Sequence, residues 1–117
     1  MEKYIRIKSE EYFHKPPVSY CCSQAVLLGF KVEFAVTERE VAEFARYRGG
    51  LAPEGYCGAL YAANQLLAKR GLPTVTEEFR AVAGAVKWRE IKGGTKYPCM
   101  ECVRLADRLV EERLGAE

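Results

Sequence analysis

The sequence predicts an all-α fold, a compact bundle of five or six helices that forms a single helical domain over residues 1–117. Apolar residues recur at intervals of three and four along almost the whole chain, which is the spacing of a helix face. Prolines and glycine pairs separate the apolar segments. All five cysteines fall in the predicted first turns of helices, so reactive side chains collect at helix N-termini.

The first two segments differ in how clearly they are defined. Residues 2–13 form either a helix or the beginning of a strand, and Pro16-Pro17 ends the segment in both cases. Ser19 is a good N-cap for the second helix. Apolar residues occupy most sides of that helix as far as Phe30, so we expect it to be buried.

The next two helices differ in their expected burial. The sequence Thr37-Glu38-Arg39-Glu40 is a capping box, and the single apolar stripe after it predicts a surface helix that ends at Gly49-Gly50. Residues 57–70 are apolar almost all round, and Gly71 and Pro73 close the segment. This segment is therefore predicted to be the central helix.

Two further helices complete the predicted bundle. Apolar residues repeat from Phe79 to Val86 in a fifth helix, and a loop containing Gly93-Gly94 follows. The last helix starts near Pro98 and runs to about Leu114. Its predicted inward face carries Cys99, Cys102, Val103, Ala106, Leu109 and Val110. Its predicted outward face carries Glu101, Arg104, Asp107, Arg108, Glu111 and Glu112.

Charge and composition exclude several classes of function. The net charge is only +2 with both signs interspersed, which argues against a nucleic-acid partner. The amino terminus has no apolar segment suited to a signal peptide, and no apolar run approaches the ~20 residues of a membrane span. We therefore expect a soluble cytoplasmic protein that does not contact membranes. In a reducing cytosol, such cysteines more often serve metal binding or redox chemistry than permanent cross-links.

The cysteines are the candidate site. Cys99-Met100-Glu101-Cys102 places two sulfurs one helical turn apart, the separation used by dithiol redox pairs and by metal sites. Cys22 and Cys57 lie at the same kind of helix terminus, where the helix dipole stabilises a thiolate. We therefore expect Cys22, Cys57, Cys99 and Cys102 to converge on one site. Cys99, nearer the helix terminus, should be the more reactive thiol of its pair. The alternative is that these are inert core cysteines.

The residues around the cysteines resemble a known family. Cys22-Ser23-Gln24-Ala25-Val26, the stretch from Gly49-Gly50 to Cys57-Gly58-Ala59, and the carboxy-terminal cysteine pair resemble the bacterial C_GCAxxG_C_C family of redox-active proteins. The resemblance extends from about Glu11 to Val110 and implies a small helical redox protein. It implies that Cys22 is the family's first cysteine, Cys57 the second, and Cys99 and Cys102 the last two. The glycine expected a few residues after Cys57 is missing, with Ala62 nearby.

Several other residues are weaker candidates for a functional role. Cys21 lies outside the family pattern and is either an accidental neighbour or a spare thiol. His14, the only histidine, is predicted to be a solvated turn residue. A basic group precedes the CxxC and either forms a solvated face or favours thiolates and docks an acidic redox partner. Its members are Lys87, Arg89, Lys92 and Lys96.

Three functions remain open at this point. The first is a thiol oxidoreductase or electron-transfer protein in which the Cys99–Cys102 dithiol exchanges with Cys22 and Cys57 and which works with a redox partner protein. The second is a zinc or iron–sulfur module held by the same four cysteines. The third is an inert helical interaction domain. In each case the nearly all-apolar central helix could pair with a second copy to form a homodimer.

Overall fold

The computed structural model describes residues 6–16 and 18–115. These residues form helices and no β-strand, which confirms the all-α class. The α-helices are α1 (Cys22–Gly29), α2 (Glu38–Glu43), α3 (Gly58–Lys69), α4 (Thr76–Ala83), α5 (Trp88–Glu90) and α6 (Cys99–Gly115). Shorter 3₁₀ turns span Ser9–Glu11, Phe44–Arg46 and Pro53–Gly55, and a π-helical turn spans Ile91–Thr95. In the described ranges no helix combines the length and the apolar character needed to cross a membrane.

Helices α1, α3 and α6 pack against one another and enclose the core. The predicted central helix is confirmed, because most of α3 is buried. Helix α1 is also buried on most sides, as its sequence predicts. Helix α2 has no fully buried residue and begins with the predicted capping box between Thr37 and Glu40, so it is the predicted surface helix.

The region before α1 corrects two expectations. Residues 6–13 form neither a regular helix nor a strand but a single 3₁₀ turn, followed by an isolated bridge between Phe13 and Tyr20; residues 1–5, where a strand could begin, lie outside the described part. Ser19 is not the N-cap of α1, because it adopts a positive φ of 60°. The bridge to Phe13 holds this turn outside the helix, and Cys21 is the N-cap instead.

The segment between α4 and α6 also differs from its prediction. Helix α4 ends at Ala83 rather than at Val86, because Gly84 reverses the chain with a φ of 87°. A side chain there would also collide with Thr95, since a Cβ would lie 2.6 Å from its Cγ2. The expected loop at Gly93-Gly94 is instead the π-helical turn that continues α5. This turn buries Ile91 against the core, and that burial outweighs the poor helix propensity of glycine.

The position of Asp107 also differs from its prediction. Its side chain is buried, although the sequence places it on the outward face of α6. The Arg6 guanidinium forms two hydrogen bonds of 2.7 Å to its carboxylate, and the Ser9 backbone N–H donates a third of 2.8 Å. Arg6 also pairs with Glu111 and lies 4.0 Å from the centroid of the Phe30 ring. We call Arg6, Ser9 and Asp107 the clasp, since they tie the segment before α1 to the middle of α6.

Candidate functional site

The structure places the cysteines at the starts of three helices, as the sequence predicts. Cys22 is the first residue of α1, and Cys57 is the N-cap of α3. Cys99 is the first residue of α6, and Cys102 follows one turn later. All five cysteines of the chain are free thiols.

The four cysteines named by the sequence come together around one small cavity. Cys22, Cys57, Cys99 and Cys102 all line it. The remaining walls are Trp88, Ile91 and Lys92, all from the helical segment between α4 and α6. The cavity volume is about 10 Å³, which is at the lower limit for one water molecule. The thiols therefore lie in a nearly dry, tightly packed space.

The position of Cys57 is fixed by hydrogen bonding and by close packing. Its backbone N–H donates a hydrogen bond of 2.8 Å to the Val86 carbonyl, which joins the start of α3 to the chain after α4. The next residue has to be glycine, because a Cβ at Gly58 would lie 2.3 Å from the Tyr47 carbonyl oxygen and 2.8 Å from the Cys22 sulfur. The Cys57-Gly58 pair thus lets two cysteine-bearing helix starts approach closely.

Cys57 and Cys102 form a hydrogen-bonded pair of thiols. Cys57 is 4% exposed and Cys102 is 3% exposed. The hydrogen bond from Cys102 lowers the pKa of Cys57 to about 7, against the effect of burial and with support from the N–H groups of Leu60 and Ala59. The same hydrogen bond, with burial, raises the pKa of Cys102 above its ordinary value. Within the pair, Cys57 is therefore the more acidic thiol and Cys102 the less acidic one. We call Cys57 and Cys102 the inner pair.

Cys22 and Cys99 are less buried and form what we call the outer pair. Both are half-buried, and both line a wider groove on the protein surface as well as the cavity. Burial raises the pKa of the Cys22 thiol, and the neighbouring Cys57, Cys21 and Cys99 raise it further. Cys22 is accordingly a poor thiolate at neutral pH. Cys99 is the remaining thiol that an incoming reagent can meet.

Cys21 is a buried neighbour of the site. Its sulfur lies 3.3 Å from the Ser23 hydroxyl, and the Ser23 hydroxyl donates a hydrogen bond of 2.8 Å to the Phe44 carbonyl. These contacts attach α1 to the 3₁₀ turn after α2. Cys21 lines the surface groove but not the cavity between the four other cysteines.

The basic group before the CxxC does not act as one patch. Lys92 lines both the cavity and the groove, whereas Lys87 and Arg89 line a different surface depression. Lys96 is exposed and lines none of these three. The exposed His14 stacks on Phe13 and lines the groove, at a turn position.

Sequence analysis missed Trp88 and Ile91 as walls of the site. The glycine pair predicts a loop for their segment, and only the packing of the π-helical turn brings them to the cysteines. The signal for a buried face is the spacing of Trp88 and Ile91, which lie three positions apart on either side of two charged residues.

The four thiols are ligands that zinc and iron–sulfur clusters accept. Across residues 6–16 and 18–115, however, no group of three or more histidine, cysteine, aspartate or glutamate side chains is arranged to hold a metal ion. The metal hypothesis is thus supported by the chemistry of the donors but not by their present arrangement.

Comparisons with known proteins add no assignment. A scan against protein-family models found no match, and searches of curated proteins and of solved structures found none either. The resemblance to the C_GCAxxG_C_C family, carried by Cys22, Cys57, Cys99 and Cys102 and their neighbours, stays a prediction.

Proposed function

We propose that this protein is a thiol–disulfide redox protein in which four cysteines handle two electrons at a time. The observation that carries the proposal is the cavity that Cys22, Cys57, Cys99 and Cys102 line together. Two of these thiols lie at a surface groove and two lie behind them. This layout suits transfer of a disulfide bond from the surface to a protected pair.

The inner pair supports this proposal because its two thiols differ in acidity. A thiolate is the nucleophile in disulfide exchange, and the thiol with the lower pKa provides it. Cys57, with a pKa of about 7, is that thiol within the inner pair. Cys102 holds its proton and donates a hydrogen bond to Cys57, which keeps the two sulfurs adjacent.

The reaction is written with a small organic disulfide as oxidant. The Cys99 thiolate attacks one sulfur of the disulfide, which forms a mixed disulfide and releases one organic thiolate. A second cysteine thiolate then attacks the Cys99 sulfur, which forms a disulfide within the protein and releases the second organic thiolate. The two protons of the cysteine thiols end on the two released thiolates. Two cysteines are oxidised, and one disulfide is reduced to two thiols.

Exchange can then pass the disulfide inward. The Cys57 thiolate attacks one sulfur of a disulfide held by the outer pair, which forms a mixed disulfide and releases the other outer cysteine as a thiolate. The Cys102 sulfur then attacks the Cys57 sulfur, which forms the inner disulfide and releases the second outer cysteine, and the protons of the inner thiols end on the two outer cysteines. The burial of both inner sulfurs would shield that disulfide from other thiols. Such a protein stores an oxidising equivalent until a reducing partner removes it.

The test uses the reduced protein and a neutral probe, hydroxyethyl disulfide. We expect the wild type to reduce it and to gain intramolecular disulfides, which mass spectrometry of peptides assigns. Cys99→Ser should abolish the first step, and Cys57→Ser should block formation of the inner disulfide. Cys21→Ser is the matched control, because Cys21 lies outside the cavity. Circular dichroism melts should show that all three variants keep the helical fold.

The same samples test the metal alternative. Metal content and visible absorption are measured on anaerobically purified protein, and melts are repeated with a chelator. A large drop in melting temperature with chelator, together with no disulfide under oxidising titration, would overturn the redox proposal and favour a four-cysteine metal module.

A further inference from the structure

A groove with a volume of about 380 Å³ opens directly onto the outer pair. Its lining includes Cys22 and Cys99, which also line the inner cavity, and Trp88 and Lys92 are shared in the same way. This volume lies in the range of sites that bind small organic molecules. The groove is therefore the route by which a small reagent reaches the sulfurs.

The charged groups along this groove are all basic. The exposed residues Arg48 and Lys92 line it together with the imidazole of His14, and no carboxylate is among its lining residues. Within the described parts of the chain, neither Arg48 nor Lys92 forms an ion pair. Elsewhere on the surface, arginines such as Arg39, Arg80 and Arg104 each pair with a glutamate. The groove thus keeps unneutralised positive charge beside the thiols.

Aromatic side chains supply the apolar part of the groove. The buried Phe13 and the half-buried Trp88 line the groove, and Trp88 also lines the inner cavity. Such a combination of a flat apolar wall and a few charged groups orients a small ligand. Trp88 and Cys99 line the same groove, so a ligand that packs on Trp88 occupies the space onto which Cys99 also opens.

We propose that this groove binds a small disulfide that carries carboxylates, with the carboxylates at Arg48 and Lys92 and one sulfur presented to Cys99. The inference rests on the proposed redox function and names the substrate class of that site. The Cys99 thiolate forms a bond to the near sulfur, and the disulfide bond breaks with release of a carboxylate-bearing thiolate. A second cysteine thiolate then attacks the Cys99 sulfur and releases the second carboxylate-bearing thiolate. One protein disulfide forms, and the protons of the two cysteine thiols end on the two released thiolates.

Arg48 and Lys92 attract an anionic substrate to the groove. Both are exposed, so their attraction acts mainly on the rate of encounter and weakens with salt. A substrate of opposite charge should be repelled from the same groove. Charge selectivity of the reaction is therefore the property to measure.

The experiment compares three disulfides of matched length, namely dithiodipropionate (anionic), hydroxyethyl disulfide (neutral) and cystamine (cationic). Rates with reduced wild type are divided by rates with the double variant Arg48→Ala/Lys92→Ala, which cancels the intrinsic reactivity of each disulfide. We expect the double variant to react on the order of tenfold more slowly with dithiodipropionate, about equally with hydroxyethyl disulfide, and faster with cystamine. Added salt should shrink these differences.

The matched control is Arg39→Ala/Lys87→Ala, which removes the same net charge outside the groove. It should leave the three rates close to wild type. Thiodipropionate, a dicarboxylate without a disulfide, should also slow the reaction of wild type with hydroxyethyl disulfide but not that of the groove variant.

The outcomes separate this inference from the proposed function. If all three disulfides are reduced and the groove variant shows no change in charge selectivity, the anionic substrate class is wrong while the redox function stands. If the control variant loses as much rate as the groove variant, the effect is one of net charge and the inference is likewise overturned. If the protein reduces none of the three disulfides, both proposals fall.

Discussion

Helix α6 carries two polar clusters that differ in how their groups are satisfied. In the clasp, the buried carboxylate of Asp107 receives hydrogen bonds from Arg6 and from the Ser9 backbone. At the start of the same helix, Cys99 and Cys102 face a nearly dry cavity with apolar and thiol walls. The clasp pairs its charges closely, whereas the thiols have few partners beyond one another.

The difference indicates what each cluster contributes. Burial alone would raise the pKa of Asp107, but the hydrogen bonds from Arg6 and Ser9 lower it below its usual value. The clasp thus favours a single charge state and holds two parts of the chain together. The inner pair instead has one thiol with a pKa near neutrality and one with a raised pKa. A group poised between two states is suited to chemistry, and a group fixed in one state is suited to structure.

Breaking the clasp should have the largest effect on stability. Asp107→Asn removes the negative charge that compensates Arg6, whose side chain is only 10% exposed. Loss of one partner from a buried ion pair costs about 3 kcal/mol of unfolding free energy. Urea denaturation measures the loss, with Glu112→Gln as the control because Glu112 and Arg108 are both exposed and 3.8 Å apart. Equal losses for the two variants would show that the clasp is not structural.

Acid should weaken the clasp in the wild type, but less than the substitution does. Because the pKa of Asp107 is lowered on folding, its contribution is present above its ordinary pKa of 3.8 and is lost as the pH falls through the folded value. A protonated carboxyl can still accept the Ser9 hydrogen bond, so the loss is only partial. Unfolding free energy measured down the acid range should fall less steeply in Asp107→Asn. If unfolding free energy falls equally steeply with pH in the wild type and in Asp107→Asn, the acid sensitivity does not come from Asp107.

A methyl group added at Gly58 tests how tightly the cysteines around the cavity are packed. Gly58→Ala would place a Cβ against the Tyr47 carbonyl and the Cys22 sulfur, and overpacking of this kind costs about 2 kcal/mol. It should also change the alkylation rate of Cys22, since that sulfur has to move. Gly93→Ala is the control, because nothing lies within 4 Å of a Cβ there. Urea denaturation and peptide mass spectrometry give the two readouts.

Removing the donor of the inner pair should change acidity more than stability. Cys102→Ala deletes the S–H group that donates to Cys57, so the pKa of Cys57 should rise from about 7 toward the ordinary 9.0. The pH dependence of Cys57 alkylation, followed by mass spectrometry, reports the shift. Cys21→Ala should leave that profile in place, because Cys21 does not contact the inner pair. An unchanged profile in Cys102→Ala would mean that the helix terminus alone sets the acidity of Cys57.

The smallest effect is expected at Cys21 itself. Cys21→Ala removes weak sulfur contacts to the Ser23 hydroxyl and the Phe44 carbonyl, and Ser23 keeps its own hydrogen bond to that carbonyl. We expect a loss of about 1 kcal/mol or less in unfolding free energy and unchanged reduction of hydroxyethyl disulfide. A loss of redox activity would show that Cys21 takes part in the reaction together with the other four cysteines.

Local patterns in the sequence are enough to predict the helical class, the central helix and the position of the cysteines at helix starts. These features depend on local spacing and on turn residues. The capping box at Thr37 and the apolar faces of residues 57–70 can be predicted without knowledge of any tertiary contact. The joint placement of Cys22, Cys57 and the CxxC also followed from sequence, because helices with apolar faces have to share one core.

The contacts that individual residues make depend, in contrast, on how distant segments pack. Asp107 lies in a polar stretch of α6 and was expected to face outward, but Arg6 and Ser9, about a hundred residues away in sequence, bury it. The CxxC spacing places Cys102 on the same face as Cys99, and only the packing of α6 against the start of α3 brings Cys102 to Cys57 as well. The turn that brings Trp88 to the site is stabilised by burial of its neighbour Ile91 rather than by local propensity. Spacing along one helix fixes which residues share a face, whereas contacts between distant segments depend on how whole helices pack.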